Sequence, residues 1–176
     1  MKKNIVAVLL VIALSTVFIF AATNPPATSF DVSTNVSGIN KMKITTAAFT
    51  GTTSSSFDSA TAYTGPLAVT VAGSQTFSAY LSTMSNNRVG YKVTMGATAM
   101  SSTVSSATAY INYTVSVNNK SLTTNNGTTV APVEVITVAS LTGLASQSHQ
   151  IALSVDATSF DAAVEGSYTG TVTFTY

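Results

Sequence analysis

Period-two alternation dominates this chain and is clearest at its end. Over residues 166–176, Tyr168, Gly170, Val172, Phe174 and Tyr176 fall in one phase, and Thr169, Thr171, Thr173 and Thr175 in the other. Successive strand side chains point to opposite faces, so this reads as a strand with one packed face and one hydrated, β-branched face. The longest unbroken run sets Ala109, Ile111, Tyr113, Val115 and Val117 against Tyr110, Asn112, Thr114 and Ser116. Phe30, Val32, Thr34 and Val36 alternate with Asp31, Ser33 and Asn35; Gly38 then bends the chain, and Met42 and Ile44 continue the pattern.

Turn residues separate further strands. Thr64-Gly65-Pro66 precedes Leu67, Val69 and Val71. Gly73-Ser74 precedes Phe77, Ala79 and Leu81. Ser85-Asn86-Asn87 precedes Val89, Tyr91, Val93 and Met95, and Asn125-Asn126-Gly127 precedes Val133 and Val135. Ile151, Leu153 and Val155 form another strand, and residues 159–166 connect it to the last one. Residues 45–61 are rich in Thr, Ser, Ala and Gly and carry Phe49 and Phe57. They read as a long surface loop with an irregular short strand, or as a linker without structure.

No window sustains a helical period. The expected fold is all-β: an antiparallel immunoglobulin-like β-sandwich of about eight strands, with a closed barrel as the other architecture. The expected core is Val69, Leu81, Tyr91, Val93, Ile111, Tyr113, Val115, Leu153, Val155, Val172 and Phe174. Burying each large apolar side chain contributes roughly 1.5–3 kcal/mol.

The start of the chain breaks the alternation. Lys2 and Lys3 precede an apolar run from Ile5 to Phe20 interrupted by Ser15 and Thr16, and Ala21 and Ala22 follow. This is the pattern of a helical secretory signal peptide, residues 1–21, cut after Ala21. An uncleaved anchor is the other reading, although the run is short beside the ~20 residues a spanning helix needs. Residues 22–29 then form a proline-containing, mobile leader, and residues 30–176 a single domain. The expected location is the cell surface or outside the cell, with no membrane contact after cleavage.

Composition narrows the chemistry. With no cysteine, disulfides, thiolate metal sites and cysteine catalysis are excluded. Seven Lys and Arg face six Asp and Glu, and loss of Lys2 and Lys3 leaves a slight acidic excess. No basic patch is present to neutralise phosphates, so nucleic acid is not an expected partner. A surface of Thr, Ser and Asn hydroxyls and amides holds few charges to keep copies apart, which suits a protein that packs beside itself.

Candidate sites are few. His149 is the single histidine; it lies in a polar run without a Gly-x-Ser-x-Gly elbow, so no catalytic residue is assigned. Asp156, Asp161 and Glu165 lie close in sequence but lack the alternating Asp/Asn pattern of a calcium loop, so neither metal nor cofactor is expected. They also lack an evident acid/base pairing for glycoside hydrolysis. Asn35, Asn112, Asn119 and Asn126 each begin an Asn-x-Ser/Thr triplet, which a chain of this composition produces by chance. Tyr63, in a loop, and Tyr110, opposite in phase to its core neighbours, are the candidate aromatic platform for a sugar. Ordinary cross-strand packing is the competing role.

Three stretches resemble the secreted, pilin-like immunoglobulin-type sandwiches of bacteria, in the style of fimbrial subunits and spore coat protein U: residues 75–95 with their Asn86-Asn87 turn, residues 110–115, and residues 165–176. The resemblance implies that Tyr168, Gly170, Val172, Phe174 and Tyr176 form a C-terminal assembly strand read by a chaperone. It also implies that a subunit can borrow a strand from its neighbour. The donor would be Phe30, Val32, Thr34 and Val36, which follow the leader; otherwise these residues form the first strand of their own sheet. The disulfide that such domains often carry is absent here. The expected function is an exported structural subunit of a fibre or surface layer, associating with itself or with other subunits through strand edges, and not an enzyme. A monomeric carbohydrate-binding or adhesin module is the alternative.

Overall fold

The computed structural model describes residues 27–176. The signal peptide expected over residues 1–21 lies outside the described residues, as do residues 22–26 of the leader. The chain divides into two units, Met1–Val36 and Ser37–Tyr176.

In the first unit, residues 27–36 carry no regular secondary structure and are exposed throughout. Phe30 and Val32 are each 87% exposed and Val36 76%. The strand expected at Phe30, Val32, Thr34 and Val36 is therefore not formed within this chain. An alternating segment that joins no ladder gains no strand hydrogen bonds and buries no apolar face.

The second unit is all-β and antiparallel. Its strands are β1 (Asn40–Thr45), β2 (Gly73–Ser85), β3 (Tyr91–Ala97), β4 (Met100–Val104), β5 (Ala107–Ile111), β6 (Tyr113–Val117), β7 (Lys120–Thr123), β8 (Val133–Val138), β9 (Ala145–Val155) and β10 (Val172–Thr175). A five-stranded sheet has the order β1-β2-β9-β6-β7, a three-stranded sheet the order β10-β3-β8, and β4 pairs with β5 as a hairpin. One core draws on both larger sheets, with Leu81, Val115 and Leu153 from the first and Val93, Met95 and Ile136 from the second. The register of β3 on β8 shifts between Val93 and Thr94. That irregularity lets two successive residues, Val135 and Ile136, both be buried.

Residues 45–61 are more ordered than their composition predicts. A short helix, α1 (Ser54–Ser59), starts at Thr53, whose hydroxyl accepts from the Ser56 amide. Its last turn is held by Lys43 Nζ, which donates to the carbonyls of Phe57, Asp58 and Ala60 at 3.0, 3.0 and 3.1 Å. Phe57 is fully buried and meets Phe49 edge to face at 4.9 Å. A six-residue helix is too short to show a 3.6 period. A second helix, α2 (Ala157–Asp161), is equally short and begins at Asp156, whose Oδ2 accepts from Ser159 N at 2.7 Å.

The long alternating run around Ile111 is two strands. At Asn112 the chain leaves β4 and joins the five-stranded sheet. The Asn112 side chain accepts from Asn126 N at 2.7 Å and donates to Asn126 Oδ1 at 2.9 Å. Its main chain accepts from Asp156 N, 2.9 Å, and donates to Ser159 Oγ, 3.0 Å. These bonds satisfy the polar groups that the change of partner would otherwise strand.

Candidate functional site

Eight of the eleven expected core residues are buried. The exceptions are Val69, Val172 and Phe174, each half-buried. All three line one apolar groove of about 650 Å³. Ile44, Tyr63 and Leu67 line it together with Val172 and Phe174 of β10. Ala79, Tyr113 and Leu153 are among the residues lining it from the core. None of the lining residues is an Asp, Glu, Lys, Arg or His. Burial pushes the Tyr113 phenol up to about 12, so that group too is neutral across the physiological range.

Residues 63–69 and 168–174 both contribute to this lining. Residues 62–72 make no ladder among the described residues; their one bridge joins Ala62 to Thr45. The strand expected at Leu67, Val69 and Val71 is thus absent, although Leu67 and Val69 keep their inward phase. β10, which also lines the groove, pairs with β3 on one side and is the end strand of its sheet. The residues before it lie against the β3–β4 junction. Thr169 bridges Ser101, and a Cβ at Gly170 would stand 2.8 Å from the Thr98 carbonyl oxygen, so only glycine allows that approach.

The ends of the two larger sheets are not alike. β1 carries Lys41 and Lys43, β7 carries Lys120, and β8 carries Glu134 with Pro132 before it. Charges and proline on an edge discourage unwanted pairing. β10 has neither, and residues 166–176 contain no charged side chain and no proline. Tyr176 closes this strand: its ring stacks on Tyr91 at 4.9 Å and 8°, and its hydroxyl donates to Asn40 Oδ1 at 2.9 Å. The end of β10 therefore lies beside the start of β1.

The two candidate platform tyrosines are separated in the fold. Tyr63 lines the groove, its hydroxyl donating to the Pro66 carbonyl at 3.1 Å. Tyr110, on β5, packs against Gly127, where a Cβ would lie 2.8 Å from its hydroxyl oxygen, and it is not part of the groove. The two tyrosines are thus not brought together as one platform. Asp156 is occupied in capping α2. Among the described residues no cluster of three His, Cys, Asp or Glu side chains could hold a metal.

His149 sits half-buried on β9, with Nε2 3.2 Å from Gln147 Oε1. Burial pushes its imidazole below the ordinary range of about 6.5. In that window the unfolded chain binds more protons than the folded one, so stability falls as pH drops from neutral through the ordinary histidine range. Urea midpoints measured from pH 8 to pH 5 should show this slope, and His149→Gln should flatten it. An unchanged slope would assign the pH dependence to other groups.

Sequence reasoning found the strand β10 but not the groove. Its signal was present in Leu67 and Val69, whose alternation asks for a pleated, half-buried surface. No family model matches this chain, and neither a curated protein nor a solved structure matches it.

Proposed function

We propose that this protein is an exported structural subunit with an immunoglobulin-like sandwich fold, which assembles with copies of itself by strand addition at the β10 edge. One observation carries the reading: an uncharged apolar groove beside an unguarded strand edge, in a chain whose residues 30–36 are an exposed alternating apolar segment. A strand laid along β10 would satisfy its free backbone groups and finish burying Val69, Val172 and Phe174 in one step. Phe30, Val32, Thr34 and Val36 of a second copy meet that need. Their side chains repeat every ~6.7 Å, so together they span about 20 Å of groove. The residues lining the groove carry no charged side chain, which suits the apolar side chains of an added strand.

The test is light scattering and electron microscopy on the exported protein over a concentration series, beside a variant lacking residues 23–36. The full protein should form long polymers and the deletion should abolish them. A deleted chain that polymerises unchanged would sink strand donation. A full chain that stays monomeric at every concentration would turn attention to a ligand-binding module of adhesin type.

A further inference from the structure

The donor segment and the groove belong to the same chain, so a chain could fill its own groove. Residues 30–36 are joined to β1 through Ser37, Gly38 and Ile39. β1 begins beside Tyr176, the residue that follows β10. A tight reversal at Gly38, where a Cβ would meet nothing within 4 Å, could lay the segment back against its own β1 and β10. A short tether gives an effective concentration of about millimolar or more, so self-closure would outcompete association of micromolar copies unless something opposes it.

Asn86 is placed to oppose it. β1 pairs with β2 in a register that sets Asn40 opposite Ser85, which makes Ile39 and Asn86 the next pair. Asn86 N donates to the Ile39 carbonyl at 3.1 Å, as an antiparallel ladder requires. The reciprocal bond runs from Ile39 N to Asn86 Oδ1, 2.6 Å, so the side chain replaces the main-chain carbonyl. Asn86 Nδ2 then donates to the Ser37 carbonyl at 2.9 Å, which is the place of the next ladder amide. The main chain of β2 has turned away by this point, with Gly90 N bonded to the Asn87 carbonyl. One carboxamide thus carries the β1–β2 ladder onward over residues 37–39. Gly38, held between the two bonds, has no positive φ.

Resting on the assembly reading above, we infer that the Asn86 carboxamide is a positioning device that keeps residues 37–39 from reversing at Gly38. It biases residues 30–36 toward the groove of another copy and away from their own. Asn86→Ala removes both side-chain bonds and frees the reversal. Asn86→Asp keeps the acceptor for Ile39 N but loses the donor to Ser37, and should act in the same direction more weakly.

The chain has no tryptophan, so Phe30→Trp gives a single reporter of groove filling. In the exported Phe30→Trp protein, Trp emission should shift to the blue together with polymer growth as concentration rises. Adding Asn86→Ala should lower polymer by at least about tenfold. Its monomer should already be blue-shifted, independently of concentration. If Asn86→Ala does not fold, three glycines inserted between Val36 and Ser37 leave the clamp intact but restore reach, and should give the same closed monomer. Polymerisation of Asn86→Ala at the parent's level overturns the inference and leaves strand donation standing. So does an Asn86→Ala monomer whose Trp stays exposed. A Phe30→Trp parent that is monomeric with an exposed Trp overturns strand donation and this inference together.

Discussion

Gly90→Ala should be among the most destabilising single substitutions in this protein, lowering stability by about 3 kcal/mol or more. Gly90 has φ 77°, a region that costs a residue with a Cβ about 1–2 kcal/mol. Space is the larger obstacle. The new Cβ would overlap the Val138 carbonyl oxygen and lie 2.6 Å from the Ala139 carbonyl carbon. Both are backbone atoms, so no side chain can rotate to make room. Val138 is the residue paired with Tyr91, and relief would have to come from opening β3 from β8 where their ladder begins. Tyr91 also supports the ring of Tyr176 and shares a hydrogen bond with Thr83 Oγ1 at 3.0 Å. A urea titration against the parent measures the effect, and the thermal midpoint should fall by roughly 10 °C. A loss below about 1 kcal/mol would mean that the Asn87–Gly90 turn shifts easily, against this account.

The strands were legible where alternation and partner coincide. Leu81, Val93, Val115 and Leu153 announce a buried face by period two, and each is buried. β4 and β7 were not legible: MSSTV and KSLT contain no alternating apolar face, and they pair because hairpins bring them beside β5 and β6. The change of sheet at Asn112 was hidden for the opposite reason, since the alternation runs through it unbroken. The hydrogen bonds of Asn112 to Asn126, Asp156 and Ser159 mark the break.

The site was legible in its parts and not in its arrangement. Two of the alternating segments found in the sequence, at Leu67–Val69–Val71 and at Phe30–Val32–Thr34–Val36, form no strand in the single chain. Alternation records what a segment can bury, and it does not name the neighbour that will bury it. Three residues whose pattern asks for a core and which are left half-buried all meet in one groove. That coincidence, rather than any one residue, is what the proposal of strand addition rests on.

Val172→Asp should therefore separate assembly from folding. Val172 is half-buried on β10, paired with Ala97 on one side and lining the groove on its inner face. In the single chain a carboxylate here keeps contact with water, so the fold should survive at a modest cost of about 1–2 kcal/mol. In the filled groove the same carboxylate would be enclosed among apolar side chains with no cation to meet it. Burying an unpaired charge costs at least several kcal/mol, and every 1.4 kcal/mol is tenfold in association. Polymer formation should thus weaken by at least about 100-fold. Thr173→Asp is the matched control: it adds the same charge one residue along, on the exposed phase of the strand. Association should then stay within a few-fold of the parent. Light scattering over a concentration series reads both variants, with circular dichroism to confirm that each is folded. Equal loss from both positions would mean that charge on the strand as a whole governs assembly. Loss from Val172 alone would place the contact inside the groove, on the face that the alternation of the last eleven residues defines.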